Sequence, residues 1–94
     1  MTDYERKREN KEKLHAVFIA RILQLCEEKG YSTYKLSYKS SVSMTTLLHM
    51  LDGDSMNPGL YNIVKICDGL DVTLAEFFDT KEFEEAIIES RDEK

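Results

Sequence analysis

The sequence predicts an all-α fold, a single compact domain of five helices, and leaves open a short sixth helix at the C-terminus. Apolar residues recur at intervals of three and four along several segments, which is the spacing of a buried helix face. Helix-capping residues and glycines bound these segments. The chain of 94 residues contains four Gly and one Pro, and a chain of this length encloses one small core rather than two.

The first helix is predicted over residues 14–29. Its apolar stripe consists of Leu14, Phe18, Ile22 and Leu25. Gly30 ends it, because a glycine just beyond a helix adopts the left-handed conformation easily. Residues 1–13 form a polar, basic N-terminal extension without an apolar stripe. This extension is interpreted either as a solvated start of the first helix or as a flexible arm.

Two short helices separated by a tight turn follow. Ser32 or Thr33 caps the first of them. Ser43 caps the second, which runs from residue 44 to about residue 52 and ends at a glycine. Two such helices describe a helix-turn-helix, whose second helix can enter the major groove of DNA. Spacing alone is weak evidence for this motif, since simple helical hairpins are common.

Two more helices are predicted in the second half of the chain. An apolar stripe marks a fourth helix over residues 59–69. A fifth begins after Thr73, which forms a capping-box pattern with Glu76. The folded domain is therefore predicted over residues 14–79. The acidic segment 80–94 is interpreted as a sixth helix or as a tail.

Composition argues against several classes of protein. The longest uncharged run, residues 40–51, is shorter than the roughly 20 apolar residues that span a bilayer, and the N-terminus lacks the apolar stretch of a signal peptide. Cys26 and Cys67 lack paired spacing, so neither a disulfide framework, a metal site nor a cofactor is predicted. Without a nucleophile–base pair or a phosphate loop, the chain is not expected to be an enzyme. A cytoplasmic protein without membrane association is expected.

The net charge of −5 is unevenly distributed. Residues 68–94 carry ten acidic and three basic side chains, whereas residues 1–67 carry ten basic and eight acidic ones. An acidic C-terminal end would repel nucleic acid only if it lay nearby. The distribution therefore does not argue against a nucleic-acid surface in the first two-thirds of the chain.

Small, capping and apolar residues occur in the order and spacing of a known family. They are Gly30, Tyr31, Ser32, Leu36, Ser37, Val42, Ser43, Thr46, Leu47, Gly53, Asn57, Pro58, Leu60, Ile63, Ile66, Cys67, Leu70, Val72, Thr73, Phe77 and Phe78. With these residues the sequence resembles the lambda-repressor-like, or XRE-type, helix-turn-helix family of phage repressors and Cro proteins. The resemblance implies five helices around one core, with helices two and three as the DNA-reading unit. It also implies a transcriptional regulator that usually binds double-stranded DNA as a homodimer.

Several positions depart from the pattern of that family. Members usually have Ala where Ser37 stands, Gly where Ser41 stands and often Gln where Thr33 stands. Several phage repressors also join helix one to helix three through a buried Arg–Glu pair, and these two positions are Cys26 and Leu51 here. Because both partners are uncharged, no buried charge is left unpaired, and such an apolar replacement is often neutral or stabilising.

The resemblance places the base contacts on helix three, and a helical wheel separates its faces. The residues predicted to face the core are Leu47, Met50 and Leu51. The residues predicted to contact bases are Ser43, Met44, Thr45, Leu48 and His49. Thr45 and His49 can hydrogen-bond to base edges, whereas Met44 and Leu48 can only touch thymine methyl groups. The alternatives are an ordinary surface histidine at position 49 and a protein-contact patch at positions 44 and 48.

Phosphate contacts have to come from neighbouring segments, because the stretch from Ser41 to Leu51 has no Lys or Arg. The predicted phosphate-contacting residues are Thr33, Lys35, Lys39 and Asn57. Helix starts add backbone N–H groups that suit a phosphate. Lys39 is alternatively a solubilising surface charge. The basic extension is a further candidate for reaching a phosphate or the minor groove.

The sequence therefore favours a sequence-specific DNA-binding transcriptional regulator that acts as a homodimer, with helix three in the major groove. Apolar side chains available for the dimer contact or for the core are Phe77, Phe78, Phe83, Ile87 and Ile88. The alternative is a helix-turn-helix-fold interaction module or antirepressor-like factor, with weak or no DNA binding, that docks a regulatory protein partner on the face of Met44 and Leu48.

Overall fold

A computed structural model describes residues 2–53 and 57–91, apart from the side chain of Ser90. These ranges contain six helices and no strand, which confirms the all-α prediction. The helices are α1 Asp3–Lys29, α2 Thr33–Ser40, α3 Met44–Asp52, α4 Leu60–Gly69, α5 Leu74–Phe78 and α6 Lys81–Arg91. The last residues of the predicted acidic segment, 92–94, lie outside the described ranges. None of the six helices combines the length and the apolar character needed to cross a membrane.

Helix α1 is longer than its apolar stripe. It begins at Asp3, where the backbone N–H of Glu5 donates to the Thr2 hydroxyl oxygen at 3.1 Å, and it ends at Gly30 in the left-handed conformation (φ 70°). The basic N-terminal segment therefore forms the first turns of α1. These turns contain good helix formers and an acidic first turn, which favours the helix start.

Helix α6 packs along α1 in the antiparallel direction. Near the C-terminal end of α6, the Glu89 carboxylate lies 3.2 Å from the ammonium group of Lys13 in α1. At its start, the Thr80 hydroxyl accepts a hydrogen bond from the N–H of Phe83 at 3.2 Å. Phe83 and Ala86 are buried. Of the two interpretations of the C-terminal segment, the helix is therefore correct for residues 81–91, because its apolar residues complete the core against α1.

Every helix contributes buried side chains to the core. Its fully buried members include Ile22, Leu36, Leu47, Ile66, Leu70 and Phe77. The ring of Phe77 lies 5.7 Å from that of Phe18 and 5.9 Å from that of Phe83, between centroids, so it joins α1, α5 and α6. Arg21 of α1 donates from Nε to the carbonyl of Phe77 at 2.8 Å. This hydrogen bond gives a partner to a carbonyl in the last turn of α5, where no intrahelical N–H is available.

The turn between α2 and α3 is built by serines and one apolar anchor. Ser41 adopts a left-handed conformation (φ 58°), the position at which the related family usually has Gly. Ser37 donates to the carbonyl of Val42 at 2.6 Å, and the Val42 side chain is buried. These contacts hold the two helices in a fixed angle before Ser43 starts α3.

Candidate nucleic-acid interface

Helix α3 presents one face to the core and one to solvent. Leu47 and Met50 are fully buried, and Leu51 packs partly buried against the core. On the outer face Thr45 and His49 are exposed, and 43% of the Leu48 side chain is accessible. The helical wheel thus separated the two faces correctly at these positions. Three of the five predicted base-contacting residues stand together on the accessible side.

Met44 is less accessible than the prediction assumed. It is partly buried and packs against the core. The reason lies in its spacing, because Met44, Leu47 and Leu51 stand at i, i+3 and i+7 and so share one helix face. The expectation of an exposed Met44 is therefore wrong, and the apolar patch that was predicted at positions 44 and 48 is reduced to Leu48.

Ser43 starts helix α3. Its hydroxyl oxygen accepts a hydrogen bond from the N–H of Thr46 at 3.2 Å and donates one to the Thr46 hydroxyl at 2.9 Å. The residue is exposed at the N-terminal end of α3. Because both hydrogen bonds are local, the hydroxyl of Ser43 serves to orient the start of α3.

The start of α2 lies in the same helix-turn-helix unit. The Ser32 hydroxyl, rather than that of Thr33, caps it by accepting from the N–H of Lys35 at 3.1 Å. Thr33 is the first helical residue and is half-buried, while Lys35 and Lys39 are exposed one turn apart. The backbone N–H groups and Lys35 at the start of α2, together with Lys39 in its last turn, are suited to one or two phosphates.

A comparison with protein families supports this geometry. The model of the Cro/C1-type HTH DNA-binding domain matches residues 21–82, about two-thirds of the chain. The chain belongs to the Cro/C1-type helix-turn-helix family. The matched range begins in the second half of α1 and ends at the start of α6, so it contains the entire helix-turn-helix unit. No curated protein and no solved structure matched the chain.

Two tyrosines on α2 of this Cro/C1-type domain were not among the predicted contacts. Tyr34 and Tyr38 are 74% and 78% exposed, and each precedes one of the two α2 lysines. Because residues four apart share a helix face, the outer surface of α2 carries two phenols beside two ammonium groups. Phenol hydroxyls are ordinary donors to phosphate oxygens. The repeated Tyr-Lys spacing was visible in the sequence and was the signal for this surface.

The start of α4 is a second phosphate-binding candidate in the Cro/C1-type domain. Gly59 stands at its N-cap, and no side chain of the described residues caps it. The predicted residue Asn57 is exposed two positions earlier. Sequence reasoning did not single out Tyr61 and Lys65, whose ammonium lies 5.0 Å from the centre of the phenol ring. This pair adds a cation to the same helix.

The cysteines of the domain are part of its core. Cys26 and Cys67 are free and buried, and burial raises the pKa of both thiols, with the Asp68 carboxylate adding to the effect at Cys67. Within residues 2–53 and 57–91, no three His, Cys, Asp or Glu side chains gather as metal ligands would. The candidate surface consists of the exposed residues of α2, α3 and the start of α4.

Proposed function

We propose that the protein is a sequence-specific transcriptional regulator that inserts α3 into the major groove of double-stranded DNA. The observation that carries the proposal is the accessible row of Thr45, Leu48 and His49 on the outer side of a buried-face helix. A threonine hydroxyl and an imidazole can hydrogen-bond to base edges, and Leu48 can touch a thymine methyl group. The preferred site should therefore contain A·T pairs opposite Leu48.

Phosphate binding in this proposal comes from outside α3. The start of α2, with Lys35 and the hydroxyl of Tyr34, and its last turn, with Lys39 and the hydroxyl of Tyr38, would bind one strand. The start of α4 would bind the flanking phosphate. Contacts to DNA phosphates fix the orientation of the protein on the duplex, and they do not depend on the base sequence. With phosphate binding assigned to α2 and the start of α4, a reading helix without Lys or Arg can still bind a polyanion.

The proposal includes a homodimer, because helix-turn-helix regulators read two half-sites about one helical turn apart. Phe77 and Phe83 are buried in the core, whereas Phe78, Ile87 and Ile88 remain 39–47% exposed on α5 and α6. These three side chains form the proposed dimer face. Removing α6 would not test it, since Phe83 and Ala86 would leave the core with it.

A point variant tests the dimer. Ile88→Glu should shift the mass measured by light scattering from dimer to monomer without lowering the melting temperature by more than a few degrees. Glu85→Lys, an exposed change on the same helix, is the matched control. A dimer that persists in the Ile88→Glu variant would place the interface elsewhere.

Selection of bound sequences from a random pool of duplex DNA, at stated salt, tests the function itself. An enriched motif with two half-sites supports the proposal. Thr45→Ala and His49→Ala should each lose discrimination at particular base pairs, by about 1–3 kcal/mol per good contact. If both variants bind DNA as the unmodified protein does, and Leu48→Asp instead abolishes binding to a regulatory protein, the protein-interaction alternative replaces the proposal.

A further inference from the structure

A groove-like cavity of about 290 Å³ lies between α1, the residues before α4 and the α5–α6 pair. Its walls are mainly apolar and come from three segments that are distant in sequence. Phe18 and Phe83 form its inner part, Ile63 belongs to α4, and Phe78 and Ile87 stand at its rim. Concave sites with apolar walls and few polar groups are the usual form of small-molecule pockets, and this volume is at the lower end of their range.

One polar group in this cavity lacks a partner. His15 lines the cavity and is only 7% exposed. Its Nε2 atom is buried and has no hydrogen-bond partner in the described structure. Buried polar groups in folded proteins are almost always hydrogen-bonded, so an unsatisfied nitrogen requires an explanation. An oxygen atom of a molecule bound in the cavity would give this nitrogen a hydrogen-bond partner.

The charge around the cavity indicates the sign of that molecule. Lys11 stands one helical turn before His15 and also lines the cavity, and the described lining residues include no acidic side chain. An anionic oxygen would therefore meet a cation at the rim and an imidazole deeper in the wall. The apolar walls suit the remaining part of the molecule.

We propose that this cavity binds a small amphipathic carboxylic acid. The carboxylate lies between Lys11 and His15, and the hydrocarbon part lies among Phe18, Ile63 and Phe83. At about 30 Å³ for each non-hydrogen atom, the share of a water molecule, the cavity holds on the order of ten such atoms. Octanoate has this size and chemistry and is a suitable probe.

The position of the cavity gives binding a regulatory consequence. Pro58, just before α4, forms part of the wall, and Phe78 and Ile87 belong to the proposed dimer face. A carboxylic acid bound in the cavity would therefore contact both the segment before α4 and the proposed dimer face. This consequence rests on the proposed DNA-binding function, whereas the binding of the acid does not.

Calorimetric titration of the full chain with octanoate, below its micelle concentration and without DNA, tests the proposal. Saturable binding at one site per chain is expected, with at least tenfold weaker binding of octanol and of octylammonium. Lys11→Gln should weaken octanoate binding several-fold, whereas Lys7→Gln, an exposed change one turn earlier, should not. Because the assay contains no DNA, its failure is separate from a failure of the proposed function.

Two variants address the cavity itself. His15→Phe removes the unsatisfied nitrogen and should weaken octanoate binding at least tenfold while melting no lower than the unmodified protein. If that variant fails to fold, Ile87→Trp at the exposed rim should block the site without disturbing the core. Equal affinity for octanol and octanoate, or octanoate binding that is unchanged in a folded His15→Phe or Ile87→Trp variant, would overturn the proposal.

Discussion

Gly69 near the end of α4 lies directly against Ser40 at the end of α2. A β-carbon at Gly69 would stand 2.8 Å from the Cα, Cβ and backbone nitrogen of Ser40, closer than such atoms approach. Both residues are buried, and the Ser40 hydroxyl donates inward to the carbonyl of Leu36 at 2.6 Å. The contact between the two backbones sets how closely α2 docks on the core, and thereby the position of the helix-turn-helix unit.

Gly69→Ala should therefore destabilise the protein. The added methyl group meets backbone atoms that cannot move aside cheaply, and overpacking of this kind costs about 1–3 kcal/mol. Urea denaturation measures the loss, with Asp68→Ala as an exposed control on the preceding residue. An unchanged midpoint for Gly69→Ala would show that α2 and α4 are not packed this closely.

Cys26→Arg should be strongly destabilising. Cys26 is buried, so the variant places an unpaired charge in the core at a cost of roughly 3 kcal/mol or more. The resemblance to phage repressors predicts that Leu51, which packs partly buried on the same core, is the partner position. Cys26→Arg with Leu51→Glu should consequently recover part of the loss in a thermal melt. A single variant as stable as the parent protein would contradict the placement of Cys26 in the core.

The capping box of α5 predicts a loss of stability in acid. The Glu76 carboxylate accepts from the backbone N–H of Thr73 at 3.0 Å, and this hydrogen bond, followed by that from the Thr73 side chain, lowers the pKa of Glu76 below its ordinary value of 4.5. A lowered pKa means that the ionised form is favoured by folding. The contribution of the ionised Glu76 carboxylate to stability is present above about pH 4.5, and it disappears as the pH falls through the lower pKa that Glu76 has in the folded protein.

Glu76→Gln keeps a side-chain acceptor but removes the titration. Urea melts from pH 7 to pH 3 should show that the difference in stability between parent and variant shrinks as the pH falls below about 4.5. Glu84→Gln, at an exposed carboxylate of α6, is a control for the loss of one carboxylate charge outside the capping box. If the difference in stability between the parent protein and Glu76→Gln stays constant from pH 7 to pH 3, the charge of Glu76 does not stabilise the fold.

DNA binding should depend only moderately on salt. If Lys35 and Lys39 are the main phosphate-binding cations, a dimer neutralises about four phosphates, and the logarithm of the binding constant should fall with a slope of about −4 against the logarithm of salt concentration. Lys35→Gln and Lys39→Gln should each flatten that slope by about 2, whereas Lys81→Gln on α6 should leave it unchanged. A slope near −8 would show that the basic start of α1 also binds DNA.

Much of the fold could be predicted because the signals are local. Ser43, the capping box at Thr73 and Glu76, and Gly30 each mark a helix end within a few residues of sequence, and the structure places helix boundaries at all of them. The outer position of Thr45 on α3 follows from helical periodicity alone.

The features that could not be predicted depend on contacts between distant segments. Residues 3–13 have no apolar stripe, so the sequence left open whether they start α1 or form a flexible arm. In the structure α1 begins at Asp3, and the ion pair of Lys13 with Glu89 joins this segment to α6. The burial of His15 has the same cause, because the groove it lines requires α1, α4 and α6 together. Met44 lies at the edge of the outer face of α3, and its partial burial depends on core contacts that a helical wheel does not contain.

Amide chemical-shift mapping of the isotope-labelled protein, titrated with a duplex selected from the random pool, shows which surface binds DNA. We expect the largest shifts in residues 33–39 and 43–49, with further shifts at the start of α4 and none on the outer face of α6. Saturating shifts confined to α5 and α6, or no shifts at DNA concentrations far above the protein, would contradict this expectation.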